Sequence, residues 1–84
     1  MPPRRSRPRT LDEAFGLVVA QLRTERGLSA ERLGNQADVD PSYVRLLEKG
    51  NRSASIKTLS KLGAAFGLAP WELLRRAQDL LGST

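Results

Sequence analysis

The chain of 84 residues has no cysteine and no histidine. Without cysteine there are no disulfides and no thiolate chemistry, and a reducing cytosol suits the protein. Without histidine the usual general base near neutral pH is missing. Losing both removes the ligands that most zinc sites need. No Gly-rich loop of phosphate-binding form is present. The close carboxylate pairs, Asp12–Glu13 and Asp38–Asp40, lack the surrounding oxygen ligands of a calcium loop. They fit a helix start and a turn instead. Catalysis, a cofactor, a metal and a small-molecule ligand are therefore not expected. No apolar run approaches the roughly 20 residues of a membrane span, and no secretory apolar stretch follows Met1. A cytoplasmic location without membrane partners is the expectation, and the Asn51-Arg52-Ser53 sequon is read as incidental.

What the chain does have is positive charge in a particular place. Fourteen basic residues face nine acidic ones, a net of +5. Residues 1–10 carry Arg4, Arg5, Arg7 and Arg9 and no acid, so the remainder is nearly neutral. A polyanionic partner is the natural reading. Residues 1–9, rich in Pro and Arg and without an apolar anchor, read as a disordered basic arm. Such an arm follows phosphates or enters a minor groove, with Arg4 and Arg5 as its candidate contacts. Residues 10–82 read as the folded domain, small enough that association is one usual remedy for marginal stability.

The rest of the chain punctuates itself into helices. Thr10 and Glu13 have capping-box spacing, and Phe15, Val18, Val19 and Leu22 make a core-facing stripe that Gly27 closes. Ser29 caps a second helix with Leu33 and Ala37 inward. Asp38 tolerates the left-handed backbone of the following turn. Asp40 and Pro41 form an N-cap and first helical residue. Val44 and Leu47 face inward, and Gly50 ends that third helix. Ser55 caps a fourth with Ile56, Leu59, Leu62 and Phe66 inward and Gly67 at its end. Pro70 opens a fifth, with Trp71, Leu74, Ala77 and Leu81 on one face. No strand pattern appears. The predicted class is all-α, a compact five-helix bundle containing a helix-turn-helix.

A short helix with apolar residues on one side and Ser42, Tyr43 and Arg45 on the other has the form that enters a DNA major groove. Here the sequence resembles the lambda-repressor-like, Cro/C1-type (XRE-type) helix-turn-helix family. The residues that carry the likeness are Leu22-Arg23, Gly27-Leu28-Ser29, Leu33, Val39 to Val44, Leu47 to Gly50, Ser55 to Leu59, and Leu62 to Leu68. The segment Tyr43 to Leu59 is most like the controller proteins of restriction–modification systems. The resemblance implies that Arg23 and Glu48 pair and fix the reading helix on its support. Relatives often place Gln where this chain has Ala30. Alanine can neither touch a phosphate nor brace a reader, although backbone N–H groups at that helix start still can face a phosphate.

The candidate DNA-binding residues are thus Ala30, Ser42, Tyr43, Arg45, Leu46, Lys49, Asn51 and Arg52, together with Arg4 and Arg5. Arg45 can offer a two-pronged donor to a guanine edge, with a pure phosphate role as the alternative. Leu46 can meet a thymine methyl or lie half-buried beneath the loop. Tyr43 can pack on the domain while its hydroxyl reaches a phosphate. Lys49, Asn51 and Arg52 suit phosphate clamping.

The expected function is a sequence-specific transcriptional regulator, repressor or activator by operator position. It would bind double-stranded DNA as a homodimer on a roughly palindromic site. Excess apolar residues near the chain's end nominate Phe66, Leu68, Trp71 and Leu74 as the dimer interface. The alternative is an antitoxin-type interaction module that masks a toxin. It calls for an additional partner-binding segment, for which the residues after the fifth helix leave little room.

Overall fold

Four of the five helices follow a residue whose side chain accepts a hydrogen bond from a backbone N–H of the first turn. The computed structural model describes residues 8–82. Over these, α1 is Leu11–Glu25, α2 Ala30–Ala37, α3 Pro41–Glu48, α4 Ile56–Phe66 and α5 Pro70–Gly82. Thr10, Ser29, Asp40 and Ser55 each accept from an N–H two or three residues on, which satisfies donors that a helix start otherwise leaves orphaned. The Thr10–Glu13 box closes one residue earlier than the spacing predicts. Glu13 N–H donates to Thr10 Oγ1 at 3.1 Å, but the Glu13 carboxylate accepts from the N–H of Arg9, at 2.7 Å. Pro8 is also buried. Ala69 has no side-chain oxygen to cap α5; instead Glu72 reaches back to its N–H at 2.7 Å.

The core lies where stripes from all five helices meet. Phe15, Val18, Val19 and Leu22 come from α1, Leu33 and Ala37 from α2, Val44 and Leu47 from α3, Leu59, Leu62 and Phe66 from α4, and Leu73 and Ala77 from α5. Each valine, leucine or phenylalanine among them is worth about 1.5–3 kcal/mol on burial. Helix α1 packs on α3 and α5, α2 on α3 and α4, and α4 on α5.

One predicted position is corrected, and one predicted face is resolved into its inner and outer parts. On α5 the buried residues are Leu73 and Ala77, while Trp71 is 61% exposed and Leu74 38%. Only Ala77 of the predicted stripe is fully inside, with Leu81 partly buried against the core. On α4, Ile56 is 80% exposed rather than inward. Helical side chains lean toward the N-terminus, so a first-turn side chain projects past the helix end, beyond the core.

The turn between α2 and α3 forms as expected. Asp38 sits at φ 60°, ψ 48°, in the left-handed region. At the other end of α3, Gly50 takes φ +76°. Its N–H donates to Leu47 O, and Asn51 N–H donates to Leu46 O, both at 3.0 Å. This is the double closure that ends a helix tightly.

Candidate nucleic-acid interface

Helix α3 is held from its inner side by apolar contact and from its end by charge. Val44 and Leu47 are buried. Arg23 Nε donates to Glu48 Oε2 at 2.7 Å and Nη2 donates to Oε1 at 3.0 Å, a two-pronged pair. Arg23 Nη1 also donates to Leu28 O at 2.8 Å, tying the α1–α2 loop to the same guanidinium. The side chains are 21% and 14% exposed. Hydrogen bonding to Glu48 raises the pKa of Arg23 above its ordinary value; burial opposes this and Coulomb attraction adds to it. The α3 register is thus fixed at its C-terminal end by two hydrogen bonds, from a guanidinium that the third holds to the α1–α2 loop. At its start Asp40 Oδ1 accepts from Ser42 N–H at 2.8 Å.

The outer side of α3 is bare. Ser42, Arg45 and Lys49 are exposed, and the helical period places them on one face. Asn51 and Arg52 continue this polar surface into the α3–α4 loop, both exposed. Leu46 is half-buried. Ala30 is half-buried and packs on the core, which leaves its backbone rather than its side chain for any outside contact. Arg4 and Arg5 lie outside the described residues.

Tyr43 serves the loop. Its ring packs on the core, and its hydroxyl donates to Ser53 O at 2.8 Å. A phenol has one proton to give, so this arrangement does not leave it for a phosphate. The Arg52 guanidinium lies 5.7 Å from the Tyr43 ring centroid, within the reach of a cation–π contact. Ser53 Oγ donates in turn to Asp12 Oδ2 at 2.8 Å. A chain of contacts from α1 through the loop to α3 therefore sets where Arg52 stands.

Three side chains that the sequence did not single out also tie parts of the bundle together. Glu31, near the start of α2, accepts from Arg45 Nη2 at 2.7 Å. Lys61 on α4 donates to Asp38 O at 3.0 Å and lies 3.3 Å from its carboxylate, fastening the α2–α3 turn to the bundle. Arg26 donates to Phe66 O at 3.0 Å and stands 5.2 Å over the Phe66 ring. Phe66 is accordingly a core residue, 4% exposed, and not part of an outward face. Leu68 is half-buried against the core. Of the four residues nominated for an interface, Trp71 and Leu74 face outward.

Among the described residues no group of three or more His, Cys, Asp or Glu is placed to hold a metal. No helix among them is long and apolar enough to cross a membrane.

Two short helices locked by a left-handed turn, the second anchored inside and bare outside, define a helix-turn-helix protein. The pattern of the Helix-turn-helix family matches residues 19–73, and the chain belongs to that family. It is 33% identical over 61 residues to control protein C.BamHI of Bacillus amyloliquefaciens, covering 71% of this chain and 75% of that one. It is 37% identical over 60 residues to control protein C.MunI of a Mycoplasma species, covering 70% and 81%. Among solved structures it resembles the restriction–modification controller protein C.AhdI from Aeromonas hydrophila. The TM-score is 0.70 at 39% identity, over 74% of this chain and 94% of that one. It also resembles the clp gene regulator ClgR from Corynebacterium glutamicum, with a TM-score of 0.79 at 27% identity over 88% and 80%. The protein is a DNA-binding transcriptional regulator and not an enzyme.

Proposed function

We propose that the protein binds a roughly palindromic operator as a homodimer in the cytoplasm and controls expression of a restriction–modification system. The observation that carries the operator reading is the two-sidedness of α3. Val44, Leu47 and Glu48 are committed inward, and Ser42, Arg45 and Lys49 stand exposed on one face. The controller reading is supported by the likeness to C.BamHI, C.MunI and C.AhdI. In a dimer each copy would place α3 in successive major grooves. Arg45 and Ser42 would meet base edges. Lys49, Asn51 and Arg52 would clamp phosphates, and Arg4 and Arg5 would add charge.

The test is a mobility-shift titration of the duplex upstream of the gene, with random duplex as competitor. Retention only of random DNA, or of none, would remove the operator reading. Within it, Arg45→Ala is expected to weaken operator binding by about 1–3 kcal/mol and random duplex much less. Ser42→Ala should show the same pattern more weakly. Equal weakening on both DNAs, with a shallower salt dependence, would make Arg45 a phosphate contact.

The dimer reading rests on α5. An indole 61% exposed beside a leucine 38% exposed is an apolar surface suited to a second copy. Buried tryptophans are frequent energetic anchors of interfaces. Trp71→Ala should raise the dimer dissociation constant about 30-fold or more, roughly 2 kcal/mol, as read by sedimentation equilibrium. A wild-type protein that stays monomeric at micromolar concentration and occupies a palindrome one copy at a time would overturn this.

A further inference from the structure

The guanidinium of Arg45 is tied to Glu31 Oε2 on α2, fourteen residues earlier, at 2.7 Å through Nη2. Both side chains are well exposed, 48% for Arg45 and 65% for Glu31. An exposed ion pair adds little to stability. A carboxylate on a DNA-facing surface also repels phosphates wherever the protein lands. Neither folding nor general affinity for DNA accounts for the pair. What the pair does achieve is geometric. Through one hydrogen bond from Nη2 it biases the reach of a long side chain that the helix alone leaves free to rotate.

We infer that Glu31 is the positioning residue that sets sequence discrimination, by holding Arg45 for a base edge and away from the phosphates. The inference rests on α3 being the DNA-reading element. Arginine carries five N–H donors in a rigid fork. One is committed to Glu31, and four remain to meet the two acceptors of a guanine edge. A free arginine in a groove finds phosphates first, because phosphate and sugar take half to two-thirds of protein–DNA hydrogen bonds. A tethered one has lost that freedom before it docks. The Glu31 charge acts in the same direction, since any pose that brings this corner of α2 and α3 onto the backbone is repelled. General affinity is lowered, and selectivity is gained.

Two substitutions separate tether from charge. Glu31→Ala removes both. Glu31→Gln keeps a carbonyl that accepts from Arg45 but carries no charge. The probes are a duplex selected by the wild-type protein from a random pool, and a scrambled duplex of equal length, each titrated at several salt concentrations. Glu31→Ala is expected to bind the scrambled duplex about 3- to 10-fold more tightly. Its salt slope should steepen by up to ~0.9, as for one added phosphate contact. The selected duplex should gain little, so the preference falls by about the same 3- to 10-fold. Glu31→Gln should tighten both duplexes alike and keep most of the preference. In an Arg45→Ala background, Glu31→Ala should leave the preference unchanged.

The inference is overturned if Glu31→Ala shifts both duplexes equally, or if its effect on preference persists without Arg45. A wild-type protein that selects no duplex at all would remove the DNA-reading role of α3, and this inference with it. A wild type that selects normally, beside an unaltered Glu31→Ala, would remove the inference alone.

Discussion

Gly16→Ala is expected to destabilise the domain by about 2 kcal/mol or more, although alanine is the better helix former. Replacing a glycine within a helix ordinarily gains about 1 kcal/mol. Here a methyl group on Gly16 would overlap the carbonyl oxygen of Leu47 and stand 2.9 Å from that of Glu48. Both are backbone atoms at the end of α3, and no side-chain rotation can relieve them. Relief requires moving α3 away from α1, which opens the core beside Val44 and Leu47 and strains the Arg23–Glu48 pair. Overpacking costs about 1–3 kcal/mol and occasionally more, and a methyl driven into two backbone carbonyls that cannot rotate away stands at the top of that range, which leaves about 2 kcal/mol or more once the gain in helix propensity is subtracted. Thermal unfolding followed by circular dichroism measures the outcome. For a domain of this size the midpoint should fall by roughly 8–16 °C. A midpoint equal to or above that of the wild type would show that α1 and α3 can separate at little cost.

Gly16 also shows where the sequence runs short of the structure. A glycine inside an apolar helix is visible, but the oxygen that faces it depends on the angle at which α1 and α3 cross. Helix starts needed no such information. Thr10, Ser29, Asp40 and Ser55 act on backbone two or three residues away, so local sequence suffices. The same holds for the left-handed backbone at Asp38. The inward face of α5 did need it. Its apolar residues form two overlapping stripes, Trp71-Leu74-Leu81 and Leu73-Ala77-Leu80, both compatible with a helical period. Which one turns inward is decided by how α5 lies against α1 and α4, and Gly63 on α4 lies so close to the loop before α5 that a methyl would sit 2.6 Å from Leu68 O. In the candidate interface, the bare face of Ser42 and Arg45 was legible from the buried positions of Val44 and Leu47. The Glu31 tether was not, because it joins two helices. The proton of Tyr43 was not either, because it goes to a loop carbonyl ten residues away.

Glu48→Ala is expected to abolish DNA binding by destabilising the domain, with a cost of about 2–4 kcal/mol. The carboxylate accepts two of the three hydrogen bonds that the Arg23 guanidinium makes. Removing it leaves a charged group, 21% exposed, with only the Leu28 carbonyl as partner. Breaking one side of a buried ion pair costs about 3–5 kcal/mol, and partial solvent access at this pair lowers that somewhat. The pair as a whole contributes much less, because desolvation of both charges offsets their attraction. The two statements yield a second expectation. Replacing both members by apolar side chains of similar size, Arg23→Met with Glu48→Leu, should recover most of the lost stability. Glu48→Gln should fall between, since it keeps an acceptor but loses the charge. Melting curves of the three variants, beside titrations of each on operator DNA below its midpoint, decide the matter. A Glu48→Ala protein that melts like the wild type yet no longer binds would move Glu48 from the scaffold of α3 into the DNA contact itself. A double variant as unstable as Glu48→Ala would show that the hydrogen bond to Leu28, and the loop it fastens, carries the larger share.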